Sequence, residues 1–553
     1  MDDFSALIGG IAGDGINEAG VTIGRLFNQL GYRIYMYYDY PSLIRGGHNS
    51  SLVRASSRKI GVHRDEVDVL IALNQDTIEI HKSRLKDSSF IIYDLDKVKV
   101  EGLSQKGCGL PVSKILKEEE APPIMRNTCI IGGFCRVTGI EWPILESVLT
   151  KHIPKKLEQN LKVARKGYDA AVEYTKIERL RQPSLPILTG NQAIGLGLIK
   201  AGLQAYVAYP MTPASSLLDF MARSAQEFGL KVIHPENEIA VVLMALGFAY
   251  AGTKTAIGTS GGGFCLMTEG LSLAGNAELP IVIMMGQRTG PSTGLPTYTA
   301  QGDLHFVLNA GQGEFPRLIV APGDAEDAYY WSGVALNMAW KYQVPAFILS
   351  DKTVSEALYS FDSASAGDPK EEPPALWDGQ GTYNRYKYTD NGVSPLAFPP
   401  DKRAIIKVDG YTHDEYGITT EDGKITTSMA DKRILKEKSL ASEMEKYETV
   451  KTFSQGKTAL VCWGSNKGVC MEAGEKHGLK VVQVLMLSPF PTEKLKKALD
   501  GVDKTIVVEC NATAQLGRLA RCNGIQFDQE ILKYNGRPFS LNDLEAELGK
   551  VLK

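Results

Sequence analysis

Short apolar runs bounded by glycine, proline or asparagine recur along this chain and alternate with amphipathic stretches of helical period. FSALIGG leads through a glycine-rich turn into INEAGVTIGRLFNQL and then into a second apolar run, GYRIYMYYDY. That order predicts a strand–helix–strand unit. VDVLIALN and SSFIIYDL continue the alternation, and RKGYDAAVEYTKIERLRQPSLP predicts a helix and linker closing a first domain over residues 1–183. In residues 184–361 the strands are AYVA, KTAIGTS, LPIVIMMGQ, RLIVAPG and VPAFILSD, separated by helical segments rich in Ala, Leu and Met. Residues 362–454 open with proline, glycine and charge and predict an irregular connector draped over the surface. TALVCWG, LKVVQVLML and KTIVVECN restore the alternation in residues 455–553. Strands separated by helices give layered α/β domains, and 553 residues are too many for one core.

Composition narrows the function classes. A net charge of −3 supplies no field for nucleic acid or an acidic membrane, so neither is expected as a partner. No apolar run reaches the length of a membrane span, and MDDFSALIGG lacks the pattern of a secretory leader, which predicts a cytoplasmic protein. The eight cysteines are scattered, with no C-x-x-C pair, so no metal or iron–sulfur ligand set is assigned to this chain. They read as buried thiols in a reducing compartment.

Candidate chemistry gathers at the predicted C-terminal ends of strands, where open α/β sheets bind ligands. AYVAYPMTPASS stops a strand at Tyr209-Pro210 and passes through Thr212 into a helix that Thr or Ser would cap. In HPENEIAVVLMALGFAYAG, Glu236 suits a solvated first helical turn. Glu238 leads directly into a segment apolar nearly all round, and a buried carboxylate there points to chemistry. GTSGGGFCLM brings Ser260, Gly261 and further backbone N–H groups to the end of another strand. IMMGQRTGPSTGLPT ends a strand at Arg288, which suits a bidentate clamp for a carboxylate or a structural ion pair. The N-terminal GGIAGDGINEAG has Gly13-x-Gly15 with the next glycine at Gly20, off the dinucleotide-binding spacing, although Asp39 stands where an acidic residue would fall. A tight turn explains it equally well, and no cofactor is assigned to it.

YPMTPASS resembles the Tyr-Pro-Ile-Thr-Pro motif of the 2-oxoacid:ferredoxin oxidoreductases, and ENEIAVVLMALGFAYAG, TSGGGFCLMTEG and QRTGPSTGLPT follow in the order of that family's alpha subunit. AGDGINEAG with YPSLIRGGHNSSLVR is similar to its gamma domain, and LKVVQVLMLSPFP with TIVVECNATAQLGRLAR to its transketolase-C-like domain. The resemblance implies a multidomain α/β chain: a gamma-type domain, a pyrimidine-type thiamine-diphosphate-binding domain and a transketolase-C-like domain. It also implies oxidative decarboxylation of a 2-oxoacid to acyl-coenzyme A, with electrons passed to ferredoxin. The GDG of the first turn is not followed by the Asn pair of a thiamine-diphosphate metal signature. Mg2+ and a 4Fe-4S cluster are therefore expected in a beta subunit, with thiamine diphosphate shared in a heterodimer or a dimer of heterodimers.

By the same resemblance, Glu238 holds the aminopyrimidine N1′, Thr212 lies near the 2-oxo group, and Tyr209, Pro210, Ser260 and Gly261 line the cofactor. Arg288 and Thr297 bind the substrate, with Tyr298 facing its side chain. Tyr298 stands where a basic residue is common in the family, so the expectation is pyruvate or another small or apolar 2-oxoacid, with 2-oxoglutarate kept open. A transketolase-like thiamine enzyme without ferredoxin and a nucleotide-binding dehydrogenase are the alternatives.

Overall fold

The computed structural model describes residues 3–43 and 46–552, so Ile44 and Arg45 of YPSLIRGGHNSSLVR lie outside the described residues. The chain divides into two compact units. One comprises Met1–Leu188, Ala357–Asp362 and Ser540–Leu548; the other comprises Thr189–Glu356, Ser363–Phe539 and Gly549–Lys553.

The first unit is built on a mixed sheet. Strand Asp3–Ile11 passes through Gly13 and Gly15 into helix Ile16–Gln29 and then strand Arg33–Asp39. Both glycines take left-handed backbone angles (φ 96° and 72°), which L side chains resist, so the turn itself demands them. The two strands are not neighbours, as a simple strand–helix–strand reading expects. Strand His48–Ser56 lies between them and pairs antiparallel with both. Its alternation is hidden because it is buried along almost its whole length, polar residues included. Val67–Ala72, Leu85–Asp94 and Lys106–Leu110 extend the sheet in parallel on the other side.

The second unit holds two sheets. Strands Lys231–Ile233, Ala205–Ala208, Thr255–Thr259, Ile281–Gln287, Pro345–Asp351 and Leu318–Val320 lie side by side in that order, all parallel. Their buried, unalternating sequences are those of strands covered by helices on both faces. Met486–Ser488, from the C-terminal section, closes this sheet antiparallel to Leu318–Val320. In the other sheet, Lys480–Val484, Thr458–Cys462, Lys504–Glu509 and Gln529–Leu532 run parallel, with Val450–Phe453 antiparallel at one edge.

A buried polar network joins these sections: Lys467 Nζ donates to Asp324 at 2.6 Å and Asp327 at 2.8 Å, and Gln301 bonds Trp463, Asn466 and Cys510. The expected irregular connector contains a 22-residue helix, Gly423–Met444, capped by Asp422. Among the described residues, no helix is long and apolar enough to cross a membrane.

Candidate active site

The C-terminal ends of four adjacent parallel strands, Lys231–Ile233, Ala205–Ala208, Thr255–Thr259 and Ile281–Gln287, lead into the residues singled out in the sequence. Ala205–Ala208 ends in Tyr209 and Pro210, both exposed, with the Tyr209 ring edge-on to His234 at 5.7 Å. Thr212 does not cap the next helix, contrary to expectation. That helix, Ser215–Phe228, starts after Ala214 without a side-chain cap, and Asn191 ties its entry through Pro213 O (2.8 Å) and Ser216 Oγ (2.7 Å). The Thr212 carbonyl instead accepts from Arg288 Nη1 at 2.9 Å, which joins two of the predicted residues directly.

Glu238 is the first residue of helix Glu238–Tyr250 and is 4% exposed, whereas Glu236 is exposed. Asn237 caps this helix, its Oδ1 accepting from Ala240 N at 3.0 Å. The carboxylate reaches the first turn of helix Gly261–Asn276. A Cβ built on Gly263 would lie 2.6 Å from Glu238 Oε1 and closer still to Thr259 Oγ1, so only glycine admits the glutamate there. Ser260 precedes this helix, fully buried, and its hydroxyl makes no capping bond.

Arg288 follows strand Ile281–Gln287. Burial lowers its pKa, and the charge of Asp303 partly offsets that effect. Asp303, which the sequence reading missed, donates its N–H to Gln287 Oε1 at 3.1 Å. Its two carboxylate oxygens lie 3.1 and 3.4 Å from where a Cβ on Gly261 would stand. Burial pushes its carboxyl up to about 6, against the pull of Arg288. Thr297 is 5% exposed on the loop that follows Arg288.

The loop's next residue, Tyr298, has a cation beside it that local sequence did not offer. The Arg537 guanidinium carbon lies 3.7 Å from the centre of the Tyr298 ring. Thr299 N–H donates to Gly536 O at 3.1 Å, which binds the two loops together.

Four buried polar atoms at or near this edge lack a hydrogen-bond partner among the described residues: Tyr206 Oη, Ser260 Oγ, Gln287 Nε2 and Thr297 Oγ1. Buried groups of this kind are normally paired, so an edge with several fits a polar ligand that completes them.

Comparisons with known proteins bear on the same residues. Residues 196–431 match the family described as pyruvate flavodoxin/ferredoxin oxidoreductase, thiamine diphosphate-binding, and residues 5–170 match pyruvate ferredoxin/flavodoxin oxidoreductase. The chain is 30% identical to the 2-oxoacid:ferredoxin oxidoreductase subunit alpha of Saccharolobus solfataricus, over 100% of this chain and 98% of that protein. It is 29% identical to the 2-oxoglutarate synthase subunit KorA of Methanocaldococcus jannaschii, over 59% of this chain and 88% of that one. The solved 2-oxoglutarate:ferredoxin oxidoreductase from Magnetococcus marinus, which has 2-oxoglutarate, coenzyme A and succinyl-CoA bound, superimposes with a TM-score of 0.91. It is 29% identical, and the match covers 100% of both chains.

Proposed function

The chain belongs to the 2-oxoacid:ferredoxin oxidoreductases as an alpha subunit, and from that premise we propose which of its residues serve the reaction and how. The full-length relatives favour this enzyme over a transketolase-like protein or a nucleotide-binding dehydrogenase. Bound thiamine diphosphate supplies a carbon nucleophile and an electron sink for the bond that loses carbon dioxide. Glu238 would hold the aminopyrimidine N1′ of that cofactor, where its carboxylate would favour proton transfer. Ser260 and Gly261 line the cofactor with their backbone and hydroxyl, and Tyr209 and Pro210 form its rim. Thr212 stands beside the 2-oxo group, Arg288 clamps the neighbouring carboxylate, and Thr297 with Tyr298 borders the side chain.

The observation that carries this reading is the buried Glu238 carboxylate, held against Gly263 at the strand edge where other polar atoms lack partners. Mg2+, the diphosphate site and a 4Fe-4S cluster belong to a beta subunit, with ferredoxin as electron acceptor and coenzyme A as acyl acceptor. An apolar surface beside the carboxylate supports such a partner: Ile239, Leu243 and Met244 on the Glu238 helix and Leu266 on the next are each 44–50% exposed. The substrate is a 2-oxoacid, and Arg537 at Tyr298 supports one with a distal carboxylate, of the kind bound by the Magnetococcus marinus enzyme.

The test is a pair of substitutions in the complex with its beta subunit. Proton-transfer catalysis contributes about 10²–10⁴-fold in rate. Glu238→Gln should lower turnover by that order while the complex stays assembled, and Glu236→Gln should change it less than about threefold on the same scale. Equal, modest effects from the two would overturn the role given to Glu238.

A further inference from the structure

Asp303 is fixed from both sides yet its carboxylate is left alone. Gln301, two residues earlier, donates its N–H to Cys510 O at 2.7 Å, and its side chain is bonded to Trp463 O, Asn466 and Cys510 N. Gln515 Nε2 donates to Gly302 O at 2.7 Å, and Asp303 N–H is held by Gln287. This backbone cannot swing the side chain away. The carboxylate therefore leans over the first turn of helix Gly261–Asn276, and neither oxygen accepts a hydrogen bond among the described residues.

The elements packed around it differ in the charge they bring. The end of strand Ile281–Gln287 presents Gln287 and then Arg288, whose Nη1 is engaged by Thr212 O rather than by Asp303. The glycine turn, residues 260–263, brings no titratable side chain, and Glu238 meets that turn at Gly263, from the neighbouring helix. On the side of residues 511–515, Gln515 faces it, and its carbonyl binds His305 Nε2 at 3.0 Å. Among the described residues Arg288 is thus the one charge that acts on Asp303, and the attraction spans a gap without a direct ion pair.

Such a pair cannot accept a third charge freely. A substrate carboxylate docking on Arg288 puts two anions around one half-buried guanidinium, and like charges brought that close favour uptake of a proton. We propose that Asp303 is a proton-linked positioning residue: it is the counter-charge of Arg288 in the substrate-free enzyme and takes up one proton from solvent when a 2-oxoacid carboxylate occupies Arg288. This rests on the reading in which Arg288 receives that carboxylate. Burial already brings the group's titration to about 6, so the uptake falls at working pH.

The experiment measures KM for pyruvate and 2-oxoglutarate in the assembled complex across about two pH units above 6, with coenzyme A and a viologen acceptor saturating. Substrate binding that requires protonated Asp303 makes KM rise with pH, by up to about tenfold per unit, with a smaller change in kcat. Asp303→Asn mimics the protonated form, so its KM should be low and flat over that range. A variant that keeps the wild-type slope would overturn the proposal. Arg288→Ala separates this from the underlying reading, because an unchanged KM in that variant would mean that Arg288 is not the carboxylate site. Calorimetry of oxamate binding to the wild-type complex, in buffers of different ionisation enthalpy, needs no variant. Net proton uptake near pH 7 supports the linkage, and none overturns it.

Discussion

Arg288 and Glu238 were legible in the sequence because each breaks the pattern of its own element. An arginine ends an apolar strand, and a glutamate opens an apolar helix that the fold then buries. Arg537 gave no such signal. It lies in a short polar loop of the C-terminal section, and only the pairing of Thr299 with Gly536 carries it to Tyr298. The expectation of a loop without a cation came from reading neighbours in sequence as the full environment. A guanidinium stacked on the Tyr298 ring sets a positive charge beside that side chain, of the sign that attracts a second carboxylate. Arg537→Leu should therefore raise KM for 2-oxoglutarate by at least about tenfold, since a charge-assisted bond is worth some 1.5–3 kcal/mol. The same change should leave KM for pyruvate within about twofold, as pyruvate has no distal charge to lose. Equal losses for both acids would assign Arg537 a structural part only.

Among the elements, parallel strands of the second unit matched their predicted positions, because strands buried on both faces read as unbroken apolar runs. Helix Gly423–Met444 was hidden for the opposite reason. Its buried positions are Met429, Lys432, Lys436, Leu440 and Met444, a stripe at helical spacing in which two of the five side chains are lysines. Hydrophobic periodicity cannot see it. Both lysines bind Glu278: Lys432 Nζ meets its two oxygens at 2.6 and 2.7 Å, and Lys436 Nζ meets one of them. Burial alone would raise the Glu278 carboxyl, but Lys432, Lys436 and Arg385 together hold it well below the usual range. Burial also lowers the pKa of Lys436, and the Glu278 charge partly offsets that effect. Removing the anion strands the lysines, and breaking a buried pair costs about 3–5 kcal/mol. Glu278→Gln should thus destabilise the chain on that order in a urea titration, and Lys436→Met, which leaves Lys432 on both oxygens and nearly conserves volume, should cost clearly less. The reverse ranking would refute this account of what anchors the helix.

For the whole molecule, the chain's apolar face around Glu238 is the feature that a single subunit leaves unresolved. A helix whose residues are apolar nearly all round is normally buried all round. Here Val241, Val242, Ala245, Leu246 and Ala249 are buried, while Ile239, Leu243 and Met244 face outward on the same helix as the proposed catalytic carboxylate. Such a contiguous apolar patch suits a subunit that completes the cofactor site from the other side. The sequence showed this helix as uniformly apolar but not which side would remain open, because that depends on which neighbours the fold supplies. Leu243→Asp together with Met244→Lys puts charge on the exposed side only, where surface changes shift stability by less than about 0.5 kcal/mol. The variant chain should melt within a few degrees of wild type, roughly as that figure implies, yet fail to co-purify with its beta subunit and show no 2-oxoacid-dependent viologen reduction. Normal co-purification with normal activity would move the partner to another face. A large loss of melting temperature would instead show that these side chains hold the alpha subunit itself together.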